Sequence, residues 1–318
     1  MTFPVTATSH SLAEYRARGG YVALEKTLKQ MKPQDVTKEV TASGLQGRGG
    51  AAFSMGRKWQ VIVPDDGQPH YLIANADEGE PGTFKDRHYL ETAPHRVLEG
   101  ALASALAIDA AAIYLYLRDE YPGLHAVLRE AIAEAEAAGL AAPGYIVLRR
   151  GAGAYICGEE SALIESLEGK PGKPRIRPPF PVTNGYMGQP TTVNNVETLA
   201  LAALIAVRGG EWFRAIGTAA STGTKLLSVS GDVERPGIYE FPFGVTVAEV
   251  LEAAGARDTQ AMTSAGAAGH CLSTDEFGRR IAFEDVPTAG AFMVFDRSRD
   301  MFEVARGFAH FFAHESCG

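Results

Sequence analysis

The stretch "HYLIANADEGEPGTFKDR", His70 to Arg87, changes character after Asn75. Its opening, "HYLIAN", is a short apolar and aromatic run that reads as a buried strand, and a polar, acidic segment follows it without a break. Two runs of the same kind lie downstream, "AAIYLYLR" (Ala111 to Arg118) and "GYIVLRR" (Gly144 to Arg150). Between the three, Pro94 to Ala107 and Tyr121 to Leu140 are rich in Ala, Leu and Glu at helical spacing, and Pro143 follows Leu140 closely. Strand, helix, strand, helix, strand predicts right-handed crossovers and a largely parallel α/β sheet. Such sheets bind ligands outside the carboxyl ends of their strands, which makes Asn75, Asp77, Glu78 and Glu80 candidate site residues.

The whole chain has 318 residues, 46% of them hydrophobic and 21% charged, with a formal net charge of −8. Single cores stop growing at about 250–300 residues, so two domains are expected. The composition is that of an ordinary globular protein. An acidic chain without a Lys/Arg block lacks the basic face of a nucleic-acid binder. No apolar run approaches the roughly 20 residues that span a bilayer, so no direct membrane insertion is expected. The N-terminus "MTFPVTATSH" lacks a basic region followed by an apolar stretch, and a cytoplasmic location is expected. Cys157, Cys271 and Cys317 are odd in number and far apart, and read as reduced thiols.

After about residue 222 the pattern shifts to a compact α+β module. Thr224 to Val233 and Gly237 to Phe241 read as strands joined by a turn at Pro236-Gly237, and Thr246 to Gly255 as a helix capped by Thr246 with Glu249 completing a capping box. The Gly-rich "RGGEW" and "STGTK" before it read as a linker.

Three further stretches carry chemistry. "GLQGRGGAAF" (Gly44 to Phe53) contains Gly47-x-Gly49-x-x-Ala52, whose glycines allow backbone N–H groups to approach a phosphate. It follows a predicted helix, Pro33 to Ser43, where a dinucleotide fingerprint would follow a strand, so a different cofactor loop is implied. "GAGAYICGEESALIESLEG" (Gly151 to Gly169) follows the third strand and opens a helix at Gly158-Glu159-Glu160. "KPRIRPPFPVTNGYMGQPTTVNNVETLA" (Lys173 to Ala200) supplies a proline-stiffened basic loop and the paired amides Asn194 and Asn195.

In this order and spacing, these motifs and "NADEGEPGTFKDR" resemble the flavoprotein subunit of respiratory complex I, the 51 kDa or F subunit, and the related diaphorase subunits of NAD-linked hydrogenases and formate dehydrogenases. The resemblance runs from about residue 40 to the end. It implies N-terminal helices and a Rossmann-like FMN/NADH domain with a parallel sheet (1–221), a small β-grasp, ubiquitin-like domain (222–298) and the start of a helical iron–sulfur domain (299–318). FMN is then expected on Gly47, Arg48, Gly49 and Lys58 around the phosphate and ribityl chain, and on Asn75, Asp77 and Glu78, with Gly158, Glu159, Asn194 and Asn195 beside them. NADH is expected against Phe53 and Phe180, which sandwich the adenine, with Arg177 and the candidate catalytic acids Glu80 and Glu160 close by. Two acids there would repel a 2′-phosphate and favour NADH over NADPH.

The implied activity is that of an NADH dehydrogenase, with hydride transfer to FMN and single electrons passed to iron–sulfur clusters of an NADH:quinone oxidoreductase. Its implied partners are a 2Fe–2S-carrying subunit and further subunits of the complex. A diaphorase subunit of a soluble hydrogenase or formate dehydrogenase is the alternative. A ligand-binding module without redox activity is a third reading, against which the intact flavin motifs count.

The chain departs from the family pattern in three places. Ala52 replaces a glycine, which requires a negative φ there. Arg177 stands where a lysine is common, keeping the charge but not the shape. Cys317 matches the first ligand of a 4Fe–4S site, and Gly318 follows it directly, so the cluster is expected only in a longer chain. Three features have plainer readings. Cys157 reads as a packing residue near the flavin. His310 and His314, four apart and near Cys317, have the spacing of zinc ligands, but the Phe-rich "MFEVARGFAHFFAH" reads as an ordinary packed helix. The loop Lys170 to Arg177 reads as facing a nucleotide.

Overall fold

The three apolar runs form parallel strands β1 (His70–Ala76), β2 (Ala110–Leu117) and β3 (Ile146–Arg150). A fourth, β4 (Thr191–Asn195), pairs in parallel with the other edge of β1. The sheet order is therefore β3-β2-β1-β4. The computed structural model describes residues 10–62 and 66–318, so the N-terminal residues 1–9 lie outside it.

Alternation along the strands sends side chains to two layers of cover. Leu72, Ala74, Ile113 and Leu115 join the core beneath helices Pro94–Ala107 and Val196–Arg208. Ile73, Tyr116 and Val193 face the opposite way and pack with Cys157, Leu163, Ile164 and Tyr186 around the helix Glu160–Leu167. Helices thus cover both faces, as a parallel sheet requires. Helices Pro33–Ser43 and Pro94–Ala107 begin where the sequence places them, each with proline in its first turn.

The second sheet runs β6-β5-β9-β7-β8, formed by β5 (Thr224–Gly231), β6 (Gly237–Pro242), β7 (Thr259–Thr263), β8 (Cys271–Ser273) and β9 (Ala291–Asp296). β5 and β6 form an antiparallel hairpin, and β9 lies parallel to β5 in the middle. The helix Val247–Ala254 packs on this sheet, and the expected Thr246/Glu249 capping box is present. That is the β-grasp arrangement, and its apolar core of Leu227, Val229, Val250, Met262 and Phe292 is its own.

Two expectations are corrected. The segment read as a linker is a packed joint. The helix Gly210–Arg214 lies on Pro33–Ser43, Phe213 is buried, and Ser221 and Thr222 are buried too. The Phe-rich helix forms as Met301–His314, but none of its residues is buried. Among the described residues, no helix is long and apolar enough to cross a membrane.

The helices Pro94–Ala107 and Val196–Arg208 approach closely because Gly100 has no side chain. A Cβ there would sit 2.1 Å from the Leu199 carbonyl oxygen. Backbone cannot yield as a side-chain tip does, so Gly100→Ala is expected to force the helices apart at a cost of about 2–3 kcal/mol. In a thermal melt this lowers the midpoint by roughly 5 °C with the far-ultraviolet spectrum retained. An unchanged midpoint would show that the contact tolerates a methyl group.

Candidate functional site

Adding β4 beyond β1 reverses the strand order, so the loops leaving the two strands diverge and open a crevice at their carboxyl ends. The register sets Asn75 beside Asn195 and Ala74 beside Asn194 across this crevice. A cavity of about 700 Å³ lies there, walled by Gly47, Gly49 and Lys58, by Asn75, Asn194 and Asn195, and by Gly158, Glu159 and Glu160. Phe53, Arg177 and Phe180 complete it. A second cavity of about 560 Å³ shares Gly49, Ala51, Gly158 and Glu159 with the first and adds Asp77, Glu80 and Tyr155. Its far wall comes from the second sheet's loops, at Ala265, Ala268 to His270 and Pro287 to Ala289.

The glycine loop is a wall kept low. A Cβ on Gly49 would come within 3.1 Å of the Asn195 Cβ. Ala52 has φ of +51°, the left-handed region, which overturns the expected negative value. Alanine pays about 1–2 kcal/mol there. The loop is held in place despite that cost: the Gly47 N–H donates to the Phe53 carbonyl at 2.9 Å, and the Arg48 N–H to Thr198 Oγ1 at 2.9 Å.

Two nominated side chains do not reach the cavities. The Arg48 guanidinium is wholly buried and donates to the carbonyls of Gln46, Thr222 and Thr224, at 3.0, 2.7 and 3.2 Å, over the Phe243 ring. Its neighbours are therefore backbone carbonyls, one in the loop itself, one just before β5 and one at the start of β5, rather than an anion, and only its backbone lines the loop. Glu78 accepts the N–H groups of Asp86 and Arg87 at 2.8 and 3.0 Å and the Tyr121 hydroxyl at 3.1 Å, so it caps the helix Lys85–Thr92. Burial, with Asp86 adding to it, pushes its carboxyl up to about 7.

The other groups cross-link the loops. The Asn75 amide donates to the Gly158 carbonyl at 2.9 Å, and its oxygen accepts the Asp77 N–H. Asn195 caps Val196–Arg208 through its oxygen and donates to Asp86 at 2.6 Å. The Asn194 oxygen accepts from the Thr192 hydroxyl. Lys58 donates to Glu160 and to the Val193 carbonyl, both at 2.8 Å, and Arg177 reaches Glu160 at 3.2 Å while lying 5.9 Å from the centre of the Phe180 ring. Glu159 caps the helix Glu160–Leu167. Of the expected nucleotide-facing basic loop, Arg177 lines the cavity, whereas Lys170 and Arg175 pair with Glu165 and Glu168.

Phe53 and Phe180 are both more than half exposed, at 57% and 53%, although each lines the larger cavity. Exposed rings at a cavity mouth suit a flat partner. Glu80 accepts the Tyr155 hydroxyl and the Ala268 N–H, both at 2.8 Å. Neither donor was singled out from the sequence: Tyr155 sits in the Cys157 motif, and Ala268 offers only its backbone. Cys157 is buried, as expected. Among the described residues, no three His, Cys, Asp or Glu side chains are placed to share a metal ion, so His310, His314 and Cys317 do not form a zinc site.

Residues 40–203 match the family model of the Nuo51 FMN-binding domain, and residues 226–264 that of the SLBB domain. The NAD-reducing hydrogenase HoxS subunit alpha of Cupriavidus necator is 48% identical over 91% of this chain and 50% of its own length. The F subunit of NADH-quinone oxidoreductase of Escherichia coli is 43% identical over 96% of this chain and 74% of its own. A crystal structure of an NAD+-reducing [NiFe]-hydrogenase in the H2-reduced state superposes with a TM-score of 0.90 at 45% identity, covering 99% of this chain and 56% of that one. The chain thus spans about half the length of the hydrogenase subunits and about three quarters of the oxidoreductase subunit.

Burial pushes the Asp77 carboxyl up to about 7, against the opposing pull of Arg118. A carboxyl raised on folding contributes stability below its unfolded pKa, near 4, and loses it as pH rises through about 7. Asp77→Asn without added ligand is therefore expected to melt higher than the parent above pH 7, with the difference closing toward pH 4. Calorimetry across that range decides it, and a difference independent of pH would show that Asp77 is ionised throughout.

Proposed function

Because the chain belongs to the family of the Nuo51 FMN-binding domain, we propose that it is the NADH-oxidising flavoprotein subunit of a multi-subunit oxidoreductase. The observation that carries this reading is the cavity at the β1/β4 reversal, which combines a low glycine wall, a lysine, three amides and two exposed rings. These residues fit FMN. Gly47 and Gly49 leave room beside exposed backbone, Lys58 supplies a cation for a phosphate, and the amides of Asn75, Asn194 and Asn195 suit hydroxyls and ring polar groups. FMN, when bound, supplies a centre that accepts a hydride and releases electrons singly.

The chain's own residues then bind and orient. Phe53 and Phe180 hold the adenine of NADH at the mouth. Glu80, fixed by Tyr155 and Ala268, presents a carboxylate to the N–H groups of a carboxamide, and the second sheet's loops form the facing wall of its cavity. Orientation of this kind accounts for much of the rate of a hydride transfer. The division into 1–221, 222–298 and 299–318 belongs to the same proposal, supported by the separate apolar cores of the two sheets.

Cys317 would be the first of four ligands of a 4Fe–4S site in this reading, and that site with a 2Fe–2S-carrying partner subunit would supply one-electron acceptors. The final acceptor has two readings. Relatives named for quinone reduction favour a subunit of an NADH:quinone oxidoreductase, peripheral to a membrane through its complex. The hydrogenase relatives, the structure at TM-score 0.90 among them, favour a diaphorase. Identification of the subunits that copurify separates the two.

The reading is tested by loading the chain with FMN and mixing it anaerobically with NADH. The visible flavin band is expected to bleach, and ferricyanide to be reduced with turnover. A chain that takes up no FMN defeats the cofactor assignment, and bound flavin that stays oxidised defeats the hydride site. The nucleotide preference is expected to rest on Glu160. Its carboxylate pairs with Lys58 and Arg177, so with Lys58 on the FMN phosphate, Glu160→Gln both removes an acid and releases Arg177 for a 2′-phosphate. The kcat/KM ratio of NADPH to NADH should then rise about tenfold or more. An unchanged ratio would place the ribose elsewhere.

A further inference from the structure

We propose that Lys225, on β5 of the second sheet, is a positioning residue for the flavin loop, which together with Arg48 locks the Gly47–Gly49 backbone in the shape that receives the phosphate end of FMN. This deepens the flavoprotein reading and rests on it. The two units exchange cations. Arg48 reaches from the loop to the carbonyls of Thr222 and Thr224 at the entry to β5 while also holding the Gln46 carbonyl of the loop, and Lys225 leaves the second sheet to donate to the Arg48 carbonyl at 3.3 Å. Both side chains are fully buried, so neither is a surface tether.

Lys225 also joins the loop, through buried charges, to Asn195, the cavity residue against which Gly49 packs. Its ammonium lies 2.5 Å from Glu197, which is 2.9 Å from Lys85. Lys85 pairs with Asp86 at 2.7 Å, and Asp86 accepts the amide of Asn195 at 2.6 Å. This chain of buried contacts therefore starts at one cavity residue, Asn195, and ends on the carbonyl between two others, Gly47 and Gly49. Buried ionic groups that fix a unique geometry tend to do so where a looser apolar contact would permit several.

The network also titrates. Burial pulls the Lys225 ammonium down to about 7, even with Glu197 opposing, while Lys85, Lys225 and Arg48 together overcome burial and hold Glu197 down at about 2. The charged groups around Lys225 are Glu197 on Val196–Arg208, Lys85 and Asp86 on Lys85–Thr92, and Arg48 on the loop, with Glu78 beyond Asp86. The charged lysine, present below about 7, is the form that holds the loop. FMN affinity is therefore expected to fall between pH 6.5 and 8.5, although second ionisation of the phosphate near 6 pushes the other way.

The test titrates FMN and riboflavin separately into the apoprotein of the full chain and follows quenching of flavin fluorescence. In Lys225→Met the FMN Kd is expected to rise tenfold or more, riboflavin binding to change much less, and the pH profile to flatten. A variant that binds FMN like the parent, or that loses FMN and riboflavin by the same factor, overturns the inference. If Lys225→Met does not fold, the double variant Lys225→Met/Glu197→Gln removes both charges of the closest pair, and an FMN-to-riboflavin ratio like the parent's overturns the inference equally. If neither variant folds, Glu197→Gln alone decides, and an FMN-to-riboflavin ratio like the parent's overturns the inference. A parent chain that takes up no FMN defeats the flavoprotein reading and this inference together, whereas FMN binding left unchanged by the substitutions defeats this inference alone.

Discussion

Parallel pairing of β4 with the free edge of β1 is the constraint from which the site follows. Had β4 joined β3 instead, every loop would leave the sheet in the same sense and no crevice would open between Asn75 and Asn195. The pairing also sets the start of Val196–Arg208, because Asn195 ends the strand and caps the helix at once. That helix then lies along Pro94–Ala107, and its first turn carries Thr198 and Glu197, which hold the glycine loop and the second sheet. One strand edge thus connects the sheet, the helical layer and the neighbouring unit.

Besides the Leu226 N–H that Glu197 accepts, the second sheet is tied into the first unit by contacts of different chemistry. Lys225 and Arg48 cross as buried cations, the Ala268 N–H reaches Glu80, and the Phe84 N–H donates to Ser228 at 3.0 Å. Burying these charges is costly unless each is matched, and here each has a carboxylate or several carbonyls. An apolar interface of the same area would hold the units together but would leave their relative register looser.

Much of this was legible in the sequence because the signals are local. Prolines mark the first turns of Pro33–Ser43 and Pro94–Ala107, β-branched and aromatic runs mark β1 to β3, and Thr246 with Glu249 writes a helix start in four residues. β4 was not legible as a strand. Thr191, Thr192 and Asn194 are buried polar residues, and only pairing with β1, more than a hundred residues earlier, makes them a strand. The glycine loop and the paired amides were legible as chemistry, but the destination of Arg48 was not. A long cation beside glycines invites a phosphate, and two of the three carbonyls that take it lie more than 170 residues downstream. The segment 209–223 read as a linker because glycines carry no packing signal, although Gly210 is needed there for a helix to meet Pro33–Ser43. Lys225 left a faint trace as the one charged residue in the strand "TKLLSVSG".

The pairing of Lys58 and Arg177 with Glu160 has a kinetic side. A cavity that neutralises its own cations projects little positive field beyond its mouth, and the surrounding chain carries a net charge of −8. In the proposed reading the incoming nucleotide is an anion and meets a net-acidic chain before it reaches Arg177. Association is then governed by short-range exchange of one carboxylate partner for a phosphate rather than by long-range steering. In that reading added salt screens the repulsion before it weakens the close contact, so encounter is expected to quicken as ionic strength rises, the reverse of a site that draws its ligand in by charge.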